Sequence, residues 1–362
     1  MPAATVRLRP ERFVAGGDAL GHAPDGRIVF VRGGVPGDDL TAEVTDDRGS
    51  FVHAVAVEVH EPGPDRVVPP CPQRLAGCGG CDWQHVAVPA QLTHKLAIVT
   101  DALRRTARLP EADVRPGAAV APDGYRTTVR VVGDADGHSA FRQERSHATV
   151  PAAGCLIAAP DVRAELESFT LEPGEERVVR APGAPTVAGV TLQVSPGAFF
   201  QSGPAAAELL VDAVRRAAPE LDDARHVVDA YAGVGLFAAT VVPPTAHVTT
   251  IESANVSVAD CRVNLAGRDA TIVAAEVGRW RATPADVVIA DPARTGLGKP
   301  GVRALVAAGA PVFVLVSCDP AAMARDVALL AGHGYRHEYS EVLDLFAHTH
   351  HVEVVTRLTR TR

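Results

Sequence analysis

The stretch V-V-D-A-Y-A-G-V-G, Val227 to Gly235, decides how the C-terminal half of this chain folds. Val227–Ala230 is a short apolar run of strand length, and it breaks into a turn with glycines at 233 and 235. A helical pattern opens directly after the turn. Glycine lets the backbone approach a bound ligand closely. Glu252 stands 17 residues after Gly235, at the end of the next apolar run, Val248–Ile251. A carboxylate there can accept hydrogen bonds from ribose hydroxyls. Turn and acid together point to a nucleoside cofactor. The last glycine of the dinucleotide fingerprint is missing, with Ala238 or Ala239 near its place, which fits S-adenosylmethionine better than a nicotinamide dinucleotide. The plain alternative is a tight strand-to-helix turn without a ligand.

Working outward, apolar strands recur at Thr271–Ala274, Val287–Ala290 and Val312–Val316, with a last pair near Glu341–Phe346 and Val352–Thr356. Helical patterns fit between most of them, so residues 200–362 are expected to form a doubly wound parallel sheet. Its strand ends carry reactive groups. Val287–Ala290 runs into D-P-A-R (Asp291 to Arg294), and Val312–Val316 runs into S-C-D-P (Ser317 to Pro320). Open α/β sheets place their chemistry at such ends. A thiol, Cys318, and an acid on one rim suggest a nucleophile beside the cofactor. Cys261 lies in a helical pattern and reads as packing. His348 and His350, in D-L-F-A-H-T-H-H-V-E (Asp344 to Glu353), read as solvent-facing.

Toward the N-terminus, residues 1–62 show short alternating runs separated by turn residues, the pattern of a small OB-like β-barrel. Residues 63–199 hold Cys71, Cys78 and Cys81, with Cys155 far downstream. Thiolates suit zinc or iron–sulfur. Three close cysteines and a distant fourth fit a four-iron cluster better than the paired C-x-x-C of structural zinc. Unligated thiols are the bland reading. Leu92, Leu96, Val99 and Leu103 recur at helical spacing, and Lys95, Arg104, Arg105 and Arg108 lie on or near that helix, as an RNA contact or a solvated face.

The chain has 362 residues and a net charge of −8, which argues against a simple electrostatic grip on nucleic acid. Thirty-three arginines stand against two lysines, Lys95 and Lys299, a bias that a GC-rich genome explains as well as phosphate binding does. No apolar signal segment opens the sequence, and prolines interrupt the longest apolar runs, so a cytoplasmic protein without a membrane span is expected. A monomer is the default.

Taken in order, these motifs resemble the S-adenosylmethionine-dependent RNA 5-methyluridine (uracil-C5) methyltransferases, in the TRAM-containing iron–sulfur branch. The resemblance covers nearly the whole chain. It implies a multidomain α/β fold: a TRAM-like β-barrel (1–62), a central iron–sulfur α+β domain (63–199) and a Rossmann-like class I methyltransferase domain (200–362). Cys71, Cys78-Gly-Gly-Cys81 and Cys155 resemble the ligands of a 4Fe-4S cluster, although the first gap is one residue longer than the family's. Phe199-Phe200-Gln201 resembles a segment that brings Gln201 to the cofactor, beside Tyr231, Gly233, Gly235, Glu252 and Asp291. Leu236 stands where an asparagine is usual, and Ala347 where a proline is. Cys318 takes the place of the nucleophile and Glu353 that of the catalytic base, while Phe200 and Arg294 become substrate contacts. The implied reaction is methyl transfer to C5 of a uridine in RNA, ribosomal rather than transfer RNA, through a covalent bond from Cys318 to C6. An inactive RNA-binding protein and a methyltransferase with a non-RNA substrate are the rival readings.

Overall fold

The computed structural model describes residues 4–144 and 146–361. The chain divides into two compact, interleaved units. One comprises Met1–Ile98, Ala121–Ala181 and Phe346–His351; the other comprises Val99–Val120, Pro182–Leu345 and Val352–Arg362. The chain crosses between these units several times. The crossings rest on long-range pairing, which hydrophobic periodicity does not report.

The first unit opens with a six-stranded sheet of β1 (Thr5–Leu8), β2 (Arg12–Phe13), β3 (Ala19–His22), β4 (Ile28–Arg32), β5 (Asp39–Asp47) and β6 (Phe51–Glu61), in the order β1-β5-β6-β4-β3-β2. Alternation fixes which side is inside: Val29 and Val31 on β4, and Val52 and Ala54 on β6, all face the core. Among the described residues β1 and β2 do not pair, so the ladder is open at both ends rather than a closed barrel. Asp38 lies at the foot of this sheet with no exposure. It accepts from Val35 N–H at 2.7 Å and Gly63 N–H at 2.8 Å, and pairs with Arg66 at 2.7 Å. Helices α1 (Pro72–Leu75) and α2 (Val88–Ala102) follow. After β7 (Val114–Ala119), which belongs to the second unit, the first unit adds a four-stranded sheet. It consists of β8 (Thr128–Gly133), β9 (Ser139–Arg142), β10 (Thr149–Pro151) and β11 (Glu176–Arg180), and it carries α3 (Pro160–Leu166).

The second unit begins, past β7, with the hairpin β12 (Thr186–Val187) and β13 (Val190–Thr191), then α4 (Pro204–Ala217). Its main sheet uses β7 with β14 (His226–Ala230), β15 (His247–Glu252), β16 (Ala270–Ala274), β17 (Val287–Ala290), β18 (Val312–Ser317), β19 (Tyr335–Asp344) and β20 (Glu353–Arg360). The order is β16-β15-β14-β17-β18-β20-β19-β7. Strands β14 to β18 are parallel, and β17 and β18 are buried at every position, as strands covered on both faces must be. Burying a side chain such as Ile289 or Leu315 contributes about 1.5–3 kcal/mol. Helices α5 (Leu236–Thr240), α6 (Asn255–Asn264), α7 (Gly298–Val306) and α8 (Pro320–Ala331) connect the parallel strands. The sheet is not parallel throughout, as the apolar runs alone suggested: β20 runs antiparallel to β18 and β19. At the far edge, β7 pairs with β19. The strand order reverses at β14, between β15 and β17, which is where open sheets bind ligands. No helix among the described residues is long and apolar enough to cross a membrane.

Candidate active site

Strand register sets the rim of the second unit. Ala230 pairs with Ile251 and with Ala290, so Tyr231, Glu252 and Asp291 leave their strands at one level. Tyr231 has φ +60°, a left-handed value costly for a side-chain residue, and the strain marks the start of the turn. Gly235 has φ +86° and caps α5, and a Cβ there would meet the Cys261 sulfur at 3.0 Å. At Gly233 the situation is reversed: an added Cβ would meet nothing within 4 Å, so this backbone faces open space. Glu252 is fixed to the turn, because its carboxylate accepts from Gly233 N–H at 3.0 Å and from Ser253 and Ala254 N–H at 2.7 Å each. Asn264 steadies the turn from behind, donating to the Val234 carbonyl at 2.8 Å.

Cys318 sits one residue past β18 and one residue before the cap of α8. Asp319 accepts from Ala322 N–H at 2.7 Å, and Pro320 occupies the first turn, where its missing N–H costs nothing. Opposite it lies Glu353. The antiparallel pairing of β18 with β20 matches Ser317 to Val354, so the next residue outward on β18 is Cys318 and on β20 is Glu353. Glu353 is 3% exposed, and its Oε1 has no hydrogen-bond partner. Burial, aided by the Asp291 charge, raises its carboxyl well above the usual range. Asp291 itself is pushed up by burial. The Cys318 thiol is pushed up to about 12, first by burial and then by Glu353 and Asp291, with Arg294 acting in the opposite direction. The helix N-terminus favours a thiolate, yet burial and two acids outweigh it.

Of the residues singled out from sequence, Tyr231, Gly233, Gly235, Glu252, Asp291, Cys318 and Glu353 therefore share this rim. Arg294 is exposed within electrostatic reach of the thiol. Gln201 is buried and Phe200 half-buried; the adjacent Ser202 donates to the Leu345 carbonyl at 3.1 Å, beside the end of β19. Two groups escaped the sequence reading. Asp229 is fully buried, gives one oxygen to Ala238 N–H at 2.9 Å and leaves the other without a partner; burial pushes it up to about 7. Ser317 carries a buried hydroxyl without a partner. Both lie inside quoted motifs, and only burial sets them apart.

The first unit holds four of the six cysteines. Cys71, Cys78, Cys81 and Cys155 line one cavity of about 330 Å³, together with Gln84, Arg74, Arg126, Arg130 and His351. The Cys81 thiol is pushed up to about 12 by burial and then by Cys155 and Cys78, so the thiols lie within electrostatic reach of one another. Arginines around the cavity complement a negatively charged occupant. Lys95 is neither a solvated charge nor a surface contact: it is fully buried, with Nζ donating to the Phe346 carbonyl at 3.3 Å. His348 is likewise 4% exposed rather than solvent-facing. Polar atoms at the end of a long side chain can be satisfied inside a core, which charge counting along a helix does not foresee.

No protein-family model matches the chain. A Streptomyces avermitilis protein described as an uncharacterized RNA methyltransferase is 33% identical to it, across 95% of each chain. A Streptomyces coelicolor protein of the same description is 34% identical, over 95% of this chain and 90% of that one. The chain belongs to the RNA methyltransferase family. A 23S rRNA (uracil(1939)-C(5))-methyltransferase RlmD of Halomonas elongata is 28% identical to it, over 93% of this chain and 86% of the relative. Among solved structures, Pyrococcus abyssi tRNA (uracil-54, C5)-methyltransferase in complex with S-adenosyl-L-homocysteine superposes with a TM-score of 0.74 at 22% identity, over 98% of this chain and 100% of that one. This chain therefore shares the fold of that structure along nearly its whole length.

Proposed function

We propose that this RNA methyltransferase transfers the methyl group of S-adenosylmethionine to C5 of a uridine in ribosomal RNA, with Cys318 as nucleophile and Glu353 as base. The observation that carries the reading is the placement of thiol and carboxyl at facing ends of β18 and β20, with Asp291 beside them. C5 of uracil is a poor nucleophile. Cys318 gives up its proton to solvent and adds as thiolate to C6; the S–C6 bond forms and the ring becomes an enolate. Arg294 would stabilise the oxygen that gains charge. The Gly233–Gly235 turn, Glu252 toward the ribose, Gln201 and Tyr231 would hold S-adenosylmethionine, whose sulfonium methyl C5 would accept with release of S-adenosylhomocysteine. Glu353 then takes the C5 proton in its ionised form. The S–C6 bond breaks and Cys318 leaves as thiolate.

A base inside a duplex or stacked loop cannot reach a half-buried thiol at a strand end, so the target uridine leaves its stack, and Phe200 would contact it. The six-stranded sheet is the TRAM-like module in this reading. Ribosomal RNA is preferred to transfer RNA from the resemblance to the RlmD relative. The cytoplasm, where that RNA resides, is the proposed location.

The four cysteines fit a 4Fe-4S cluster as the occupant of their cavity. Among the described residues no three cysteine sulfurs lie within 4.8 Å of one another; the one such cluster of potential ligands is Asp134, Asp136 and His138. A tetrahedral zinc site, with Zn–S bonds of about 2.3 Å, needs sulfurs about 3.8 Å apart. A four-iron cluster takes its thiolates at wider spacing.

Mapping 5-methyluridine in total RNA from a strain lacking the gene, beside its parent, tests the assignment. Loss of the modification at one ribosomal position is expected. Loss at a transfer RNA position would reassign the substrate, and no loss anywhere would remove the uracil-C5 reading.

A further inference from the structure

Helix α8 starts just past Cys318, and its second turn grips the loop that carries Arg294. Asp326 on this helix has no exposure. Its carboxylate accepts from Leu297 N–H at 2.6 Å and from Gly298 N–H at 3.1 Å, at the start of α7. The adjacent Arg325 donates to the Thr295 carbonyl at 2.5 Å. Two neighbouring side chains of α8 therefore hold the backbone of residues 295–298. Burying a carboxylate is costly unless it is paired or hydrogen-bonded. Here both oxygens are used on this one loop, where the N-terminus of α7 also favours negative charge.

Gly296 shows how closely the carboxylate approaches. It has φ +73°, and a Cβ there would overlap Asp326 Oδ2 and lie 3.0 Å from Arg325 Nη2. Only glycine lets the loop close over this side chain. Gly296 N–H donates to the Ala293 carbonyl at 2.8 Å, which folds Arg294 into a turn. The other end of the loop is fixed by the sheet, because Ala290 on β17 pairs with Ala230 on one side and with Leu315 on the other. Beyond the loop, a Cβ on Gly301 of α7 would lie 2.9 Å from the Tyr231 hydroxyl, so this helix packs against the cofactor turn.

The segment from Asp291 to Leu297 is thus pinned at both ends. Between them stands Arg294, exposed, with its charge reaching the Cys318 thiol. An exposed guanidinium takes its place from the backbone that carries it. We infer that Asp326 is a positioning residue for Arg294: its buried carboxylate fixes the loop after β17 so that the guanidinium stays within reach of the thiol. The same helix then sets both partners, with Cys318 at its N-terminal end and the grip on the Arg294 loop one turn further along. The inference rests on the assignment of Cys318 as the nucleophile with Arg294 beside it.

The pH profile of Cys318 alkylation on the full-length protein, read by mass spectrometry, tests this without RNA. Asp326→Asn puts an amide NH2 where one acceptor oxygen stood, and so breaks part of the grip. Arg294 favours the thiolate, so its displacement should move the D326N profile to higher pH. The sign is diagnostic, because mere removal of the Asp326 charge acts the other way and moves the profile to lower pH. Arg294→Ala should give an upward shift of its own, and the double variant D326N/R294A should shift no further than R294A. In turnover, D326N should lose about a hundredfold in kcat with its KM for S-adenosylmethionine unchanged, the order that follows from misplacing a reacting group by about 1 Å. An unshifted or lowered D326N profile overturns the inference. So does a further upward shift in the double variant, or an upward shift with kcat intact. Should D326N fail to fold, Gly296→Ala keeps every charge, displaces the loop from the other side, and carries the same expectations and the same overturning results. A protein that makes no 5-methyluridine but whose D326N profile shifts upward would sink the proposed reaction and leave the positioning role standing.

Discussion

Asp38 and Glu353 are both buried carboxylates, and the two units treat them in opposite ways. Asp38 has every oxygen engaged, with two backbone N–H donors and the Arg66 guanidinium, and these hold its carboxyl below the usual range despite burial. Glu353 has Oε1 without a partner and the Asp291 charge nearby, and its carboxyl is raised. The thiols divide in a parallel way. Cys81 and Cys318 are both pushed up to about 12, mostly by burial, but the next causes are other thiols for Cys81 and carboxylates for Cys318. A buried group that is fully paired is scaffold, whereas one left short of partners at a strand end is available for chemistry. Cys81 belongs to a set of four thiols that line one cavity; Cys318 stands opposite an acid.

The largest test of this contrast is Cys318→Ala. It should reduce methyl transfer by about 10⁴-fold or more, because the covalent step disappears. Binding of S-adenosylhomocysteine, followed by calorimetry, should persist, since the turn is held by Glu252 and Asn264. Residual methylation near the wild-type rate would mean that another group is the nucleophile.

Glu353→Gln comes next, with an expected loss of about 10²–10⁴-fold in turnover. A methylated RNA adduct on Cys318 should accumulate and survive a denaturing gel, because proton removal from C5 precedes release. The variant also reports on electrostatics. Removing a negative neighbour lowers the Cys318 pKa, so the pH profile of Cys318 alkylation, read by mass spectrometry, should shift to lower pH. An unshifted profile would show that the two groups do not interact. Glu353 has a raised folded pKa, so its ionisation costs the fold stability once pH rises above the unfolded carboxyl value of about 4.3. E353Q should therefore raise Tm at neutral pH while destroying activity.

The methyltransferase half was legible because its signals are local. Val227–Gly235, Asp291–Arg294 and Ser317–Pro320 each join an apolar strand to a chemically marked turn, and parallel strands buried on both faces spell out continuous apolar runs. What stayed hidden depends on distant partners. β7 pairs with β19 across more than 200 residues, and nothing in Val114–Ala119 announces it. The antiparallel direction of β20 is also invisible to periodicity. Lys95 was misread because a helix face was judged by its charges, while its partner is a backbone carbonyl 251 residues away. The four cysteines of the first unit were legible as a set, since type and spacing carry that signal, and they line one cavity.

Asp38→Asn breaks the scaffold side of the comparison. It leaves Arg66 without its counter-ion, and removing one member of a buried pair costs about 3 kcal/mol. The pH dependence has the opposite sign to that of Glu353. Asp38 has a lowered folded pKa, so its contribution is complete above the unfolded value of about 3.9 and is lost as pH falls through the folded one. Denaturant unfolding at pH 7 should show the full loss in D38N, and the gap between wild type and variant should narrow in acid. A gap that widens below pH 4 would contradict the pairing.

The smallest expected effect separates the shape of the cofactor turn from its chemistry. Gly233→Ala introduces a Cβ that meets no protein atom within 4 Å, so no clash arises within the chain itself. The backbone there has φ +55°, and the left-handed conformation costs a side-chain residue about 1–2 kcal/mol. Thermal unfolding of the free protein should fall by that amount and no more. If the open space over Gly233 is where the cofactor lies, affinity for S-adenosylhomocysteine should drop further than this backbone strain accounts for, because the methyl group occupies the ligand's approach. Equal losses in stability and affinity would place the ligand elsewhere, and would reduce Gly233 to a turn residue whose amide simply anchors Glu252.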